Sequence, residues 1–172
     1  MSWIERLGRH LDVVSDVTGK SVAWLTLLMM ALTCGVVTLR YVFNVGSIVL
    51  QESVMYLHGC VFMLGIPYAL KVGAHVRVDI FYSRMSPRGR QWVDLLGSLL
   101  FLLPFSVFVI WVSLDYVATS WRIHEASPEV GGVPFVYLLK TLIPLMAFAL
   151  LLQGTSEALK ALQQLVTQHR SR

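Results

Sequence analysis

Charged side chains are scarce in this chain of 172 residues, because Asp, Glu, Lys and Arg together make up 14% of it. A soluble domain carries roughly a quarter of its residues as charged ones. Hydrophobic residues, in contrast, account for 56% of the chain. So few charges cannot cover a surface that faces water, and the composition therefore excludes an ordinary soluble domain and indicates that lipid is the solvent.

Cysteine is also scarce, and Cys34 and Cys60 both fall inside apolar runs. Two cysteines in such positions are typical of small buried hydrophobic residues rather than of a disulfide framework. Gly19, Lys20 and Ser21 resemble the end of a phosphate-binding loop, but the first glycine of that motif is missing at the required spacing. The sequence therefore favours neither a disulfide-stapled domain nor a nucleotide-binding one.

Long apolar runs are what the chain does have. A bilayer core about 30 Å thick needs about 20 apolar residues in a helix, and the runs that meet this length are 22–43, 48–70, 92–116 and 135–153. We predict an all-α integral membrane protein with four transmembrane helices, in a single membrane domain over 1–172. Prolines within three of these runs predict kinks, since neighbouring helices can satisfy the freed carbonyls: Pro67, Pro104 and Pro144.

The two ends of the chain show weaker helical patterns. Apolar residues repeat at helical spacing over 3–18, with charged residues on the other side, which predicts a separate amphipathic helix in the membrane interface. Packing of that helix on a soluble partner is the alternative. The stripe over 154–168 predicts a cytoplasmic extension of the fourth helix. The run 22–43 is too long for a signal peptide and is expected to stay attached.

Positive charge indicates how the chain is oriented. The regions on alternate sides of the apolar runs, counted with the nearest ends of the runs, hold three, one, five, two and three Lys or Arg residues. Because positively charged loops stay in the cytoplasm, we expect both termini and the 71–91 loop inside and the 117–134 loop outside. The basic side chains, with a net charge of +4, then contact phospholipid headgroups, and nucleic acid is not an expected partner. The predicted topology anchor consists of Lys71, His75, Arg77, Asp79, Arg84, Arg88 and Arg90.

Two ionisable residues flank the short connection between the first two runs. Arg40 lies near the outer end of the first run, and Glu52 lies about one turn inside the second. Charges at membrane depth are costly unless they are paired. We therefore predict that Arg40 and Glu52 pair, directly or through Gln51, and lock the two helices together. The alternative is that each side chain reaches the headgroups on its own.

Two further polar residues lie inside predicted spans. His58 is the only histidine near mid-membrane, and an interhelical hydrogen bond is favoured over a proton relay. Lys140 lies about one turn inside the outer end of the fourth run, where its side chain can extend outward or meet a carboxylate on a partner subunit.

No constellation of residues indicates an enzyme. No serine has a plausible base and orienting acid, and no pair of carboxylates is set for acid–base chemistry. His75 and Asp79 are too few for a metal site, and the other histidines lie outside the spans, which argues against haem. We expect no cofactor, no metal and no catalytic residue.

The outward loop is polar and contains exposed candidates for contact with a soluble partner. A solvated connection without a partner is the alternative. The predicted docking residues are Trp121, Arg122, Glu125 and Glu129.

Several stretches in order along the chain resemble one family. They are "RYVFN" from Arg40, Ser47, "QES" from Gln51, "YLHGCVFMLGIPYALKVGAHVRVD" from Tyr56 and "GGVPFVYLLKTLIPLMAFALLLQG" from Gly131. Together they resemble the small membrane subunit, of the DctQ type, of tripartite ATP-independent periplasmic (TRAP) transporters, over about residues 3 to 165. One position departs from the family, which often has a Glu-Glu pair where this chain has Gln51 and Glu52.

The resemblance implies a supporting subunit in the bacterial inner membrane, with four transmembrane helices and an amphipathic N-terminal helix. It implies a large membrane subunit that carries an organic acid and sodium, and a periplasmic binding protein that the small subunit helps to dock. The chain shows no internal repeat or pair of broken helices, the features that secondary transporters use to build a mid-membrane site. Two other functions remain open: an independent homo-oligomeric transporter or channel, and a membrane anchor subunit of a redox enzyme.

Overall fold

The structure is a computed structural model that describes residues 3–75 and 82–170. Within these residues the chain forms five α-helices, and a π-helical turn over Ser98–Leu102 joins the third to the fourth. Four helical segments are long and apolar enough to cross a membrane. The chain is therefore an all-helical, multi-pass membrane protein, as the sequence predicts. The helices are α1 (Trp3–Tyr41), α2 (Ile48–Lys71), α3 (Pro87–Gly97), α4 (Leu103–Arg122) and α5 (Val136–Arg170).

Serine residues begin two of these helices. The Ser47 side chain accepts a hydrogen bond from the backbone N–H of Leu50 at 3.4 Å at the start of α2. At the start of α3, the Ser86 side chain accepts one from the N–H of Gly89 at 3.2 Å, and Pro87 occupies the first turn. Both arrangements satisfy N–H groups that a helix start leaves free, and proline is tolerated there because it has no N–H to lose.

The three prolines inside the apolar runs do not end their helices. Pro67 lies within α2 and Pro144 within α5, and both helices continue past them. Pro104 is the second residue after the π-helical turn and lies in the first turn of α4. A wider turn gives room where the proline ring would otherwise meet the preceding carbonyl. Pro87–Arg122 is thus one continuous candidate span despite this proline.

Helix α5 is central, because it contacts each of the other four helices. Small residues dominate its contact face, and on α4 the facing positions Ser106, Ser113 and Ser120 are buried. Between membrane helices, small side chains let the backbones approach and gain van der Waals contact, which replaces the hydrophobic effect as the driving force. The buried positions of α5 without a polar side chain follow helical spacing: Ala147, Leu150, Gly154, Ala158, Ala161 and Leu165.

The structure corrects one predicted boundary. The sequence predicts a separate helix over 3–18, whereas α1 runs from Trp3 to Tyr41 without a break. Gly19, the residue that a break would use, lies inside the helix, and a Cβ at this position would overlap the Tyr68 ring of α2. The glycine therefore serves close packing of α1 on α2 rather than a turn.

The side of α1 that faces the bundle also differs from the prediction. Ser15 is buried, whereas Val13, Val14 and Val17 are at least half exposed. The polar side of this segment faces neighbouring helices, and part of its apolar side faces outward. In lipid this arrangement is favourable, since polar groups find partners only within the protein.

The Gly19 contact gives a matched test within one helix. Gly19→Ala places a methyl group against Tyr68 and is expected to destabilise the fold by about 1–3 kcal/mol, the usual cost of overpacking. Gly35→Ala is the control, because no atom lies within 4 Å of a Cβ there. Thermal unfolding of both variants in detergent, followed by loss of the monodisperse chromatographic peak, measures the difference. Equal stabilities would contradict the close contact.

Candidate functional site: two polar clusters

A buried polar cluster joins the beginning of α1 to the C-terminal half of α5. Gln153 and Ser156 of α5 have no exposed surface. Ser15 donates from its hydroxyl to Gln153 Oε1 at 2.6 Å. Gln153 Nε2 donates to Asp12 Oδ1 at 3.2 Å and to Glu157 Oε1 at 2.9 Å. The amide therefore has partners for its oxygen and for both of its hydrogens, which a buried amide requires.

Asp12 is the centre of this cluster. Its Oδ1 accepts from Ser156 Oγ at 2.8 Å and from Lys160 Nζ at 2.9 Å, and Lys160 Nζ also lies 2.8 Å from Oδ2. Lys160 Nζ contacts Glu157 Oε1 at 2.8 Å as well. One ammonium group thus lies between two carboxylates that belong to different helices, and charge-assisted hydrogen bonds of this kind are stronger than neutral ones.

Lys71 adds the end of α2 to the same cluster. Its Nζ lies 2.5 Å from Asp16 Oδ2 and donates to the backbone carbonyl of Asp12 at 3.1 Å. The contacts place the start of α1, the end of α2 and the C-terminal half of α5 at one end of the bundle. We call this set the inner cluster: Asp12, Ser15, Asp16, Lys71, Gln153, Ser156, Glu157 and Lys160.

A second cluster, at the opposite end, holds the connection between α4 and α5. Glu52 of α2 accepts from the Ser127 hydroxyl through Oε1 and from the backbone N–H of Val133 through Oε2, the latter at 2.5 Å. A Cβ on Gly132 would lie 2.8 Å from Glu52 Oε2, so this glycine lets the loop approach the carboxylate. One side chain of α2 therefore ties down the loop at two points.

The same loop is also held from α5. Lys140 Nζ lies 2.5 Å from Glu125 Oε2 and 4.1 Å from the centre of the Tyr116 ring. Hydrogen bonding from Lys140 lowers the pKa of Glu125 below its ordinary value. The pair therefore contributes its full share to the stability of the fold at any pH above the ordinary pKa of a glutamate. That contribution is lost only as the pH falls through the lowered pKa.

Trp121, at the end of α4, completes this outer set. It donates from Nε1 to Thr141 Oγ1 at 2.8 Å and packs edge-on against Tyr137, with 4.7 Å between ring centres. We call the set the outer cluster: Glu52, Trp121, Glu125, Ser127, Val133, Lys140 and Thr141.

The predicted pair of Arg40 and Glu52 does not form. Both carboxylate oxygens of Glu52 are bonded to the α4–α5 loop, and Arg40 is exposed. Arg40 and Gln51 instead line one shallow groove beside the α1–α2 turn. The physical reason is helical geometry, because Gln51 and Glu52 project about 100° apart, which turns Glu52 away from α1 and toward the loop.

His58, and one of the two alternatives for Lys140, differ from expectation. The carboxylate that meets Lys140 comes from Glu125 of the same chain rather than from a partner subunit. His58 is exposed and stacks on Phe62, with ring centres 6.3 Å apart. Within the described part of the chain it makes no hydrogen bond to another helix, so the predicted interhelical bond is not made inside this subunit.

The predicted docking residues divide into two classes. Trp121 and Glu125 are engaged in the outer cluster. Arg122 and Glu129 are exposed. Of the four predicted docking residues, Arg122 and Glu129 are therefore the two that present charged side chains outward.

The predicted topology anchor is likewise split. Lys71 belongs to the inner cluster, and Arg90 donates to the carbonyls of Tyr82 and Ser83 at 3.1 and 2.7 Å. His75, Arg84 and Arg88 are exposed. Arg77 and Asp79 lie outside the described residues. Within residues 3–75 and 82–170, no three His, Cys, Asp or Glu side chains are grouped so as to hold a metal ion.

Sequence reasoning missed most of the inner cluster. The sequence pattern that could have predicted it is a polar stripe on the last helix, where successive polar positions lie three, one and three residues apart: Gln153, Ser156, Glu157 and Lys160. Such spacing places all four side chains on one helical face. On α1, Asp12 and Ser15 show the same kind of spacing, but a polar face beside an apolar one also fits a helix at the membrane surface.

Comparison with known proteins gives one family. A family model described as tripartite ATP-independent periplasmic transporters, DctQ component, matches residues 29–164. The match includes the outer cluster and the α5 half of the inner cluster, and it begins after the α1 half. No curated protein and no solved structure matches the chain.

Removal of the Asp12 carboxylate is expected to loosen the inner cluster. Asp12→Ala leaves Gln153, Ser156 and Lys160 without a shared acceptor and should cost about 1–3 kcal/mol. The measurement is thermal unfolding in detergent, with Asp115→Ala at an exposed position of α4 as the control. Lys160→Met alone and combined with Asp12→Ala completes a double-mutant cycle. Strictly additive losses would contradict direct coupling.

Loss of the Glu52 carboxylate is expected to free the α4–α5 loop. A spin label at Val130, which is 93% exposed, should become more mobile in Glu52→Ala, because the Ser127 and Val133 contacts disappear. Arg40→Ala is the control and should leave the label unchanged. The label is placed on Val130→Cys in a background with Cys34→Ser and Cys60→Ser. Equal changes of label mobility in the two variants would contradict this arrangement and support the pairing of Arg40 with Glu52.

Proposed function

Because the chain belongs to the DctQ component family of tripartite ATP-independent periplasmic transporters, we propose that it braces the large carrier subunit of such a transporter. The family makes it a small permease component, and the family match over residues 29–164 is the observation that carries the proposal. Bracing is the specific role that the arrangement of its polar groups supports.

A brace needs a fixed shape, and the two clusters supply one. The inner cluster ties α1, α2 and α5 together, and the outer cluster ties α2, α5 and the loop after α4. Partners for polar groups are scarce in lipid, so breaking such contacts is costly. A carrier, in contrast, needs a moving part and a site near the bilayer midplane. We assign substrate and sodium handling to the large subunit, with an organic acid as the substrate.

The orientation proposed here places the inner cluster at the cytoplasmic end of the bundle. The basic residues at that end, which include the exposed Arg84 and Arg88, favour this side under the positive-inside rule. Both termini are then cytoplasmic and the outer cluster is periplasmic, in the inner membrane. The exposed Val13, Val14 and Val17 of α1 contact the phospholipids of the inner leaflet, where an amphipathic segment is favoured.

A periplasmic position of the α4–α5 loop supports a second task, which is docking of the substrate-binding protein. Arg122, the last residue of α4, and Glu129, in the loop, present opposite charges at this end of the bundle, and charged residues at a rim chiefly steer association. Glu52 holds the loop at Ser127 and Val133, so Glu129 is carried by a loop that is tied down at two points. Rigid presentation lowers the cost of ordering on binding.

The experiment that tests bracing is uptake by the large subunit with and without this chain. We expect the two membrane subunits to purify together and transport to be lost when this chain is omitted from proteoliposomes. Full uptake by the large subunit alone would contradict the proposal. Ion conduction by the purified chain alone would support an independent channel instead.

Charge reversal at the end of α4, beside the loop, is expected to weaken docking. Arg122→Glu should raise, by several-fold, the concentration of binding protein needed for half-maximal uptake, with little effect at saturation, because rim charges act mainly on association. Arg84→Glu, an exposed arginine at the opposite end, is the control. Uptake in proteoliposomes across a titration of binding protein measures this. Identical curves for the variant and the control would remove the loop from the docking surface.

A further inference from the structure

Helix α2 has one face that the other described helices leave largely uncovered, most of all near its middle. Its residues are spaced alternately four and three apart, the pattern of a helix that packs along its length on another helix. Met55 and Phe62 on this face are 50% and 62% exposed, and His58 is exposed as well. We call it the α2 stripe: Gln51, Met55, His58, Phe62, Gly65 and Ala69.

The flanks of α2 are already occupied, which sets the direction of this stripe. On one side Tyr68 packs over Gly19 of α1. On the other side a Cβ on Gly59 would lie 2.8 Å from Leu139 of α5. The α2 stripe lies between these two contacts and faces away from the bundle.

His58 indicates that protein rather than lipid covers the stripe. It lies near the middle of a 24-residue helix, and its imidazole stacks on Phe62 of the same stripe. Lipid tails offer neither a donor nor an acceptor for the ring nitrogens, so a polar side chain at this depth is costly without a partner. The exposed face of α4, in contrast, carries Phe105, Phe108 and Trp111, which lipid tails solvate well.

The inner half of the stripe fits the approach of a helix backbone. Gly65 and Ala69 are four residues apart, the spacing of small residues at which membrane helices approach closely. No atom of the chain lies within 4 Å of a Cβ on Gly65. The space above this glycine is therefore open to an outside helix.

A second copy of this chain fits the stripe poorly. In a two-fold pair of parallel helices, each residue meets its own equivalent at the same depth. Phe62 would then meet Phe62, and Gly65 would meet Gly65. The two large rings would compete for the same space, and a void would remain between the two glycines. A different helix, with a small residue opposite Phe62 and a large one opposite Gly65, would fill both levels.

From these observations we infer that the α2 stripe is the surface that receives a transmembrane helix of the large TRAP subunit. That helix presents a hydroxyl, amide or carboxylate group opposite His58. The inference rests on the proposed bracing function and specifies which face performs it.

Photo-crosslinking distinguishes the possible occupants. Benzoylphenylalanine is placed at Phe62 in the stripe and, as a matched control, at Phe108 of α4, which is 56% exposed. In the assembled complex we expect a covalent adduct with the large subunit from position 62 and none from position 108. An adduct with a second copy of the chain, an adduct with lipid alone, or large-subunit adducts from position 108 only would overturn the inference.

The hydrogen bond itself is tested by His58→Leu and by the conservative His58→Gln. The leucine variant should weaken association with the large subunit by about 3- to 20-fold, as expected for one interhelical hydrogen bond in a membrane, and glutamine should restore part of it. Thermal stability of the isolated chain should not change, since His58 is exposed and its ring stacks on Phe62 of its own helix. Unchanged association of the leucine variant would overturn the role of His58.

The two proposals fail in different ways. If the wild-type chain does not purify with the large subunit, both bracing and the α2 stripe are refuted. If it does purify with the large subunit while position 62 gives no adduct, bracing stands and the stripe is refuted.

Discussion

Gln153 has no exposed surface, and its amide is stable there only because Ser15, Asp12 and Glu157 take up its hydrogen bonds. The constraint behind this is general, since a polar group that leaves water without a partner costs several kcal/mol in hydrocarbon. Here the partners come from two helices that are more than a hundred residues apart in sequence. The positions of α1 and α5 relative to each other therefore depend on this amide and on the carboxylate of Asp12.

The same constraint explains why charge lies at the two ends of the bundle. Lys71, Asp12 and Lys160 meet at one end, and Glu52, Glu125 and Lys140 lie at the other. Between the ends, many of the buried positions of α4 and α5 are serine, alanine or glycine. Small residues there permit close packing without any buried charge, whose desolvation is expensive. A bundle held in this way at both ends and packed closely between them is suited to resist bending.

Much of the fold follows from the sequence, because span length and apolar composition are set by the thickness of the bilayer. The four candidate spans, their order and the continuity of helices through Pro67 and Pro144 agree with this. The sequence did not predict correctly which way individual polar side chains point. Glu52 was expected to meet Arg40, yet it bonds the loop at Val133. Adjacent residues on a helix point about 100° apart, and which of them turns inward depends on a loop some 80 residues away.

The prediction of a separate N-terminal helix was wrong for a related reason. A helix with one polar and one apolar side fits a membrane surface, and it equally fits a bundle whose polar contacts are internal. Periodicity alone does not distinguish the two, because both give the same spacing. The buried amide of Gln153 decides between them, since it needs an acceptor and a donor and finds both in Asp12 and Ser15.

Polar residues in the spans therefore divide by whether the chain itself supplies their partner. Gln153 and Glu52 have partners within the chain, and their contacts fix its shape. Within the described residues, His58 has no hydrogen-bond partner and stacks on Phe62 of the same helix. In the proposed assembly, the cost of an unpaired imidazole in lipid favours a helix that supplies its hydrogen-bond partner. An imidazole suits this use, because its two ring nitrogens give it more than one way to hydrogen-bond.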